Sequence, residues 1–184
     1  MALRLLACLA ALFVPAGFAS GQYAMHVGST SGLPGSSVST LITIDHPLPA
    51  QGFQFGLVHD SALVTPIAVS QGAMISGSNA GSGADYFFFD LAPVGGPGLV
   101  AGSIVSLSPP LESIPAGIGN EVALVEYAID PAALPGTTSP LVLSGTLGSP
   151  AVAVVISVDG NSEIPTLDHG SIAVDTPSVS GLTC

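Results

Sequence analysis

The distribution of glycine and proline constrains this chain more than any other feature of its sequence. The 184 residues include 23 Gly and 16 Pro, and no window outside the N-terminal segment carries a sustained 3.6-residue period of apolar residues. Between these interruptions apolar and polar residues alternate in short runs, which is the pattern of a strand with one buried face. The sequence therefore predicts an all-β protein.

The run over residues 52–63 is the clearest of these segments. Phe53, Phe55 and Leu57 are spaced two apart, so we expect them to share the face of a strand that packs into the core. The strand should end at residues 59–61, because an Asp followed by a small polar residue favours a turn. In a chain built largely from small residues, these large side chains predict the central strand.

The remaining alternating runs predict nine or ten short strands in all. Their regular spacing, with turn residues between them, is typical of a β-sandwich or barrel. We expect a long surface loop at residues 71–83 and a proline-bearing crossing loop at residues 108–120. The predicted strands are residues 23–27, 37–45, 52–58, 64–69, 86–90, 99–107, 121–129, 140–144, 151–158 and 171–174.

The first 19 residues have the organisation of a secretory signal peptide. Arg4 precedes an apolar run that is too short to span a bilayer, and small residues precede the expected cleavage after Ala19. We expect residues 20–175 to form the sandwich and residues 176–184 to form a linker that leads into a further fibronectin-III-like domain. The protein is therefore predicted to be secreted and to act outside the cell or at its surface.

The charge of the chain excludes several classes of partner. Arg4 is the single Lys or Arg, against 12 Asp and Glu. Binding to nucleic acid or to an anionic membrane surface requires cationic side chains, so neither is expected, nor is membrane insertion after signal cleavage. Charged residues make up only 7% of the chain and hydrophobic residues 48%, the opposite of a disordered composition.

The order of strands and turns resembles that of the bacterial cohesin domains over residues 23–175. Residues 27–38, with Leu33-Pro34-Gly35, are similar to the opening strand, Pro-Gly turn and second strand of that family. Residues 52–63 resemble its third strand, and residues 121–143 and 170–174 resemble its later strands. The resemblance implies a jelly-roll β-sandwich, a fold shared with several carbohydrate-binding modules, that docks a protein partner.

Two positions on the third strand depart from the pattern of that family. In type I cohesins that bind dockerins, an Asn and an Asp on this strand contact the partner, whereas Gly52 and Gln54 stand here. His59 occupies a position where the family usually has Tyr. The resemblance therefore implies that the β-sandwich of the family is retained and that its contact surface is altered. Gln54 is a candidate binding residue on this surface.

The aromatic run at residues 86–89 is a second candidate binding surface. Sugar rings stack on exposed aromatic faces, and Tyr adds a hydrogen bond, which makes Tyr86 and Phe88 candidates for contact with polysaccharide. Burial in the sandwich is the favoured expectation, because carbohydrate binders prefer Trp and Tyr and this chain has no Trp and three Tyr.

Calcium is the one metal that the sequence suggests. Asp159, Asn161 and Glu163 place side-chain oxygens at alternate positions, as in loops that wrap Ca²⁺. An EF-type loop would also need Gly and a carboxylate where Ile164 and Gly170 stand. An ordinary solvated turn is the favoured interpretation, so no cofactor is predicted.

Patterns for catalysis are missing from the sequence. The four histidines have no i, i+2 or i, i+4 pair that would share a metal, no Ser lies in a Gly-x-Ser-x-Gly elbow, and nothing pairs two carboxylates for glycoside hydrolysis. Together with this absence, the resemblance to cohesins implies a non-catalytic exported binding module whose partner is another exported protein. A carbohydrate-binding module on the same fold is the alternative.

Overall fold

The computed structural model describes residues 22–177, which form two β-sheets packed face to face. Thirteen strands account for most of these residues, and two helical turns lie between the fifth and sixth strands. The strands are β1 Ala24–Val27, β2 Thr30–Gly32, β3 Ser37–His46, β4 Ala50–Val58, β5 Val64–Gln71, β6 Tyr86–Asp90, β7 Gly98–Ile104, β8 Gly117–Ile129, β9 Thr138–Ser144, β10 Val155–Val158, β11 Asn161–Glu163, β12 Thr166–Asp168 and β13 Gly170–Val174. The helical turns are α1 Ala73–Ser76 and α2 Ser78–Gly81.

The smaller sheet has five strands in the order β12-β1-β3-β8-β5. Its centre is the long antiparallel pair of β3 and β8, which runs from Ser37 opposite Ala128 to His46 opposite Gly117. Only two of its strands are parallel neighbours, β1 and β12. The predominance of antiparallel pairs is what short strands joined by tight turns produce.

The larger sheet is organised around β4, as the sequence predicts. One edge of β4 pairs with β7 over residues 52–58, and β7 in turn pairs with β6. The other edge of β4 pairs with two strands, one after the other along its length. Strand β10 pairs with residues 50–54, and β9 pairs with residues 56–58. Each of these two strands continues the sheet, β10 to β11 and β9 to β13 and β2.

The core lies between the two sheets and follows the alternation in the sequence. Phe53, Phe55 and Leu57 are buried, as expected, together with apolar side chains from the smaller sheet such as Ile42 and Val125. Each large apolar side chain buried in this way contributes about 1.5–3 kcal/mol relative to exposure. The prediction of an all-β sandwich is therefore confirmed.

The differences from the predicted strands are local. Strands β2, β11 and β12 have three residues each and were not expected. Residues 151–154, predicted as strand, lie outside the strands, and the Val152 N–H donates to the Leu147 carbonyl. Strand β8 begins at Gly117 inside the predicted crossing loop, and the predicted loop at residues 71–83 contains α1 and α2.

Two of the sequence predictions fall outside the described residues. The signal peptide at residues 1–19 lies before them, and all but the first two residues of the predicted linker at 176–184 lie after them. Within residues 22–177, no helix is long and apolar enough to cross a membrane.

Candidate functional site

The register of the larger sheet determines which side chains share the side turned away from the core. Gln54 in β4 pairs with Gly102 in β7, and Gly102 pairs with Phe88 in β6. On its other side Gln54 pairs with Val155 in β10. Directly paired residues point to the same side of a sheet, so these four residues form a row across four strands. We call the side of β6, β7, β4 and β10 that carries this row the outer face.

A neighbouring row adds two exposed side chains to the outer face. Tyr86 pairs with Ile104, and these residues are 49% and 41% exposed. The Tyr86 and Phe88 rings lie 5.8 Å apart between centroids, with their planes inclined by 31°. We call Tyr86, Phe88 and Ile104 the aromatic platform, since they form one continuous apolar surface on the outer face.

Gly102 makes room for the ring of Phe88. A Cβ atom at Gly102 would lie 2.5 Å from Cε1 of Phe88 and 2.9 Å from Cβ of Gln54, closer than van der Waals contact. The Phe88 ring therefore covers the glycine, which fixes its position and leaves it half-buried. Covering of a strand glycine by a neighbouring aromatic ring is a recognised stabilising arrangement in sheets.

The expectation that the aromatic run is buried is wrong for two of its four residues. Tyr86 is exposed on the outer face, and Phe89 is 48% exposed on the other side of β6. Phe87 packs partly against the core and Phe88 is half-buried. The physical reason is that β6 is an edge strand, paired only with β7, so neighbouring strands cover its side chains from one direction only.

Gly52 lies at a close approach of β4 and β7. A Cβ atom built on Gly52 would overlap the main-chain carbonyl oxygen of Ser103 in β7. A larger residue at this position would therefore force β4 and β7 apart. Gln54 has no such restriction, and its half-buried side chain lies beside the aromatic platform.

An open cavity of about 390 Å³ lies where β4 begins. Its lining combines apolar and polar groups with the carboxylates of Glu112 and Asp159. One oxygen of Glu112 accepts a hydrogen bond from the Asn79 main-chain N–H at 2.5 Å. The lining residues are Pro49, Gln51, Ser106, Leu111, Glu112, Ser113 and Asp159.

The calcium candidates lie on a tight hairpin. Asp159 and Gly160 have φ values of +50° and +75° and connect β10 directly to β11, as in the two-residue turns that favour such angles. The Asn161 amide donates to the Asp159 carbonyl at 3.3 Å, so its nitrogen faces the turn. The structure thus has a β-hairpin where calcium binding would need a wrapping loop, and residues 22–177 contain no group of three or more His, Cys, Asp or Glu arranged to hold a metal ion.

The four histidines contact four different sets of neighbours. The contacts are His26 with Asp45 and Asp168, His46 with Leu48 and Asn120, His59 with Tyr127, and His169 with the main chain of Leu143.

Similarity to known proteins is found in structure and not in sequence. No protein-family model matches the chain, and no curated protein matches it. The third cohesin of ScaC from Acetivibrio cellulolyticus, solved with the ScaB dockerin, has a TM-score of 0.65 at 21% identity, over 84% of this chain and 99% of that one. The fold is cohesin-like.

Two further structures support this cohesin-like fold across distant organisms. The seventh ScaB type I cohesin from Pseudobacteroides cellulosolvens has a TM-score of 0.64 at 16% identity and covers 89% of this chain and 99% of that one. A non-cellulosomal cohesin from the archaeon Archaeoglobus fulgidus has a TM-score of 0.58 at 16% identity, with coverage of 84% and 92%. The cohesin-like unit accounts for nearly all the residues that the structure describes.

Proposed function

We propose that this protein is a non-catalytic docking module that binds another exported protein through the outer face of its larger sheet. The observation that carries the proposal is the row of Gln54, Gly102 and Phe88 on the outer face of a cohesin-like fold. Similar structures include cohesins solved in complex with dockerins. Partner-contacting positions on the corresponding strand of type I cohesins match Gly52 and Gln54, and Gln54 is part of this row.

The chemistry of the outer face suits a protein partner. Its centre is the aromatic platform, and aromatic side chains dominate the energetics of protein interfaces. Acidic residues occur without a single Lys or Arg among the described residues, so the complementary partner presents an apolar centre with cationic or neutral groups around it. Action outside the cell or at its surface belongs to this proposal and depends on the signal peptide predicted at residues 1–19.

Isothermal titration calorimetry with a panel of dockerin domains, including the ScaB dockerin of Acetivibrio cellulolyticus, tests the proposal. Truncation of a central aromatic residue typically costs about 1–2 kcal/mol or more, so Phe88→Ala should weaken binding at least about fivefold. Leu41→Ala is the matched control, because Leu41 is an exposed apolar residue on β3 of the smaller sheet. Equal binding by wild type and Phe88→Ala would exclude the outer face.

Carbohydrate binding is the second candidate function, and one observation favours it. Tyr86 is exposed and lies beside Phe88 at an inclination of 31°, an arrangement on which a sugar ring could stack. Affinity electrophoresis in gels containing soluble polysaccharides distinguishes the two functions. Retardation that is lost in Tyr86→Ala supports sugar binding, whereas migration unchanged by every polysaccharide leaves the protein-docking proposal.

A further inference from the structure

The edges of the two sheets are protected unequally. A sheet edge exposes unpaired main-chain N–H and C=O groups, and proteins block such edges with very short strands, prolines, bulges or lysines. Strands β2, β11 and β12 have only three residues each, and β5 carries Pro66 and a register shift next to it. The remaining edge, β6, has five residues without Pro, Lys or a register shift.

The hydrogen-bond pattern shows which groups of β6 face outward from the sheet. The Val105 N–H donates to the Gln51 carbonyl, and a Cβ atom on Gly52 would overlap the Ser103 carbonyl oxygen, so Ser103 in β7 bonds to β4. In an antiparallel pair, bonding to one neighbour alternates along the strand, so the residues of β7 that bond to β6 are Gly102 and Ile104, opposite Phe88 and Tyr86. The N–H and C=O groups of Phe87 and Phe89 therefore point to the free edge.

We infer that β6 accepts an extended segment of a partner protein as an additional strand of the larger sheet. The occupant is defined by the main-chain groups of Phe87 and Phe89, which present alternating donors and acceptors in the spacing of a β-ladder. This site uses the edge of the sheet and does not depend on docking at the outer face.

The charges around β6 specify the chemistry of the added segment. Exposed Asp85 and Asp90 flank the strand on either side of its aromatic residues, and no Lys or Arg of residues 22–177 compensates them. An extended segment with apolar residues at its centre and Lys or Arg at its ends complements this edge. A second copy of this chain would bring the same carboxylates together and is disfavoured.

The experiment uses a synthetic seven-residue peptide of alternating threonine and valine between two lysines, with both ends blocked. Amide hydrogen exchange of the protein is followed by NMR with and without the peptide. The free protein should exchange quickly at Phe87 and Phe89, and the peptide should slow these amides at least about fivefold. A peptide N-methylated at alternate residues on the pairing side should give no protection, since it lacks the donors that the edge requires.

A pair of protein variants separates the main chain from the side chain. Phe89→Pro removes an edge-facing N–H without removing a bond to β7, a position where edge strands tolerate Pro, and Phe89→Ala removes only the ring. Phe89→Pro should bind the peptide about five- to tenfold more weakly than Phe89→Ala, as expected for one main-chain hydrogen bond. The N-methylated peptide provides the same test on the wild-type protein should Phe89→Pro fail to fold.

Three results would overturn the inference. Slow exchange at Phe89 in the free protein would mean that the edge is already covered. Equal protection by the N-methylated peptide would show that binding does not use the main chain. Concentration-dependent dimers in analytical ultracentrifugation, competed by the peptide, would assign the edge to self-association.

Discussion

At the scale of single residues, the polar groups inside the sandwich are the points where its stability depends on solution conditions. The rings of His59 and Tyr127 meet edge to face with centroids 5.4 Å apart, and both side chains are buried. His59 Nδ1 and the Tyr127 hydroxyl have no hydrogen-bond partner among the described residues. Burial lowers the pKa of His59, with a smaller opposing effect from the Asp60 carboxylate.

The lowered pKa of His59 predicts a loss of stability on mild acidification. The unfolded chain takes up a proton at the usual His pKa of about 6.5, whereas the folded protein takes it up only at a lower pH. The free energy of unfolding should therefore fall as the pH drops below about 6.5, by at most about 1.4 kcal/mol per pH unit. Urea denaturation from pH 8 to 5 measures this, and His59→Leu should flatten the curve. An unchanged slope in His59→Leu would assign the pH dependence to other groups.

The close approach at Gly52 predicts that even one added methyl group is costly. In Gly52→Ala the new Cβ would overlap the Ser103 carbonyl oxygen, and because this atom belongs to the main chain the two central strands must separate. We expect a loss of about 1–3 kcal/mol in the free energy of unfolding. Gly145→Ala is the control, because the nearest atom to its Cβ is 3.7 Å away. Equal stability of the two variants, measured by chemical denaturation, would contradict the observed register of β4 and β7.

At the scale of elements, the predictable strands are those long enough to show a period. Strand β4 could be predicted with its buried face because three large apolar residues alternate within nine positions. A strand of three residues contains no period, so β11 and β12 could not be predicted from their own residues. They exist because β10 and β1 offer pairing partners, and such pairing is a tertiary property.

Strand β12 has a further attachment through His26. This ring lies between two carboxylates, with Nε2 at 3.1 Å from Asp45 and Nδ1 at 3.3 Å from Asp168, and it joins β12 through β1 to β3. His26→Ala should increase amide exchange in β12 while changing global stability by less than about 1 kcal/mol, because partly exposed polar side-chain contacts contribute little. Asp159→Asn removes a different exposed carboxylate and should leave β12 unaffected. Unaltered exchange in His26→Ala would show that the main-chain ladder alone holds β12.

The candidate site illustrates the same limit of sequence reasoning. Gln54, Tyr86 and Phe88 were predicted separately as binding candidates, on different grounds. Their position on one face depends on the pairing of β4, β7 and β6, which brings together residues 34 positions apart in the chain. Ile104 was missed because its contribution arises only from its register opposite Tyr86. Nothing in the alternation within a strand identifies its neighbour across the sheet.

At the scale of the whole molecule, uncompensated negative charge is the dominant electrostatic feature. All 12 acidic residues lie within the described part of the chain, and the single Arg4 lies outside it. Mutual repulsion of these carboxylates destabilises the compact state and is screened by salt.

This charge predicts that salt stabilises the fold. Raising NaCl from 10 mM to 500 mM at pH 8 should increase the free energy of unfolding by roughly 1 kcal/mol, because the Debye length falls well below the dimensions of the sandwich. Thermal denaturation at graded NaCl concentrations measures the effect. A variant with Glu121→Gln and Glu126→Gln should respond less. A melting temperature that is independent of salt would contradict the electrostatic account.

Binding of a partner protein through the outer face of the larger sheet is the central claim. NMR titration of the isotope-labelled protein with each dockerin of the panel tests this claim most directly. We predict saturable shift changes at Gln54, Phe88 and Ile104, with the amide of Leu41 on the smaller sheet unchanged. Changes centred on the smaller sheet, or no saturable change with any dockerin, would contradict it.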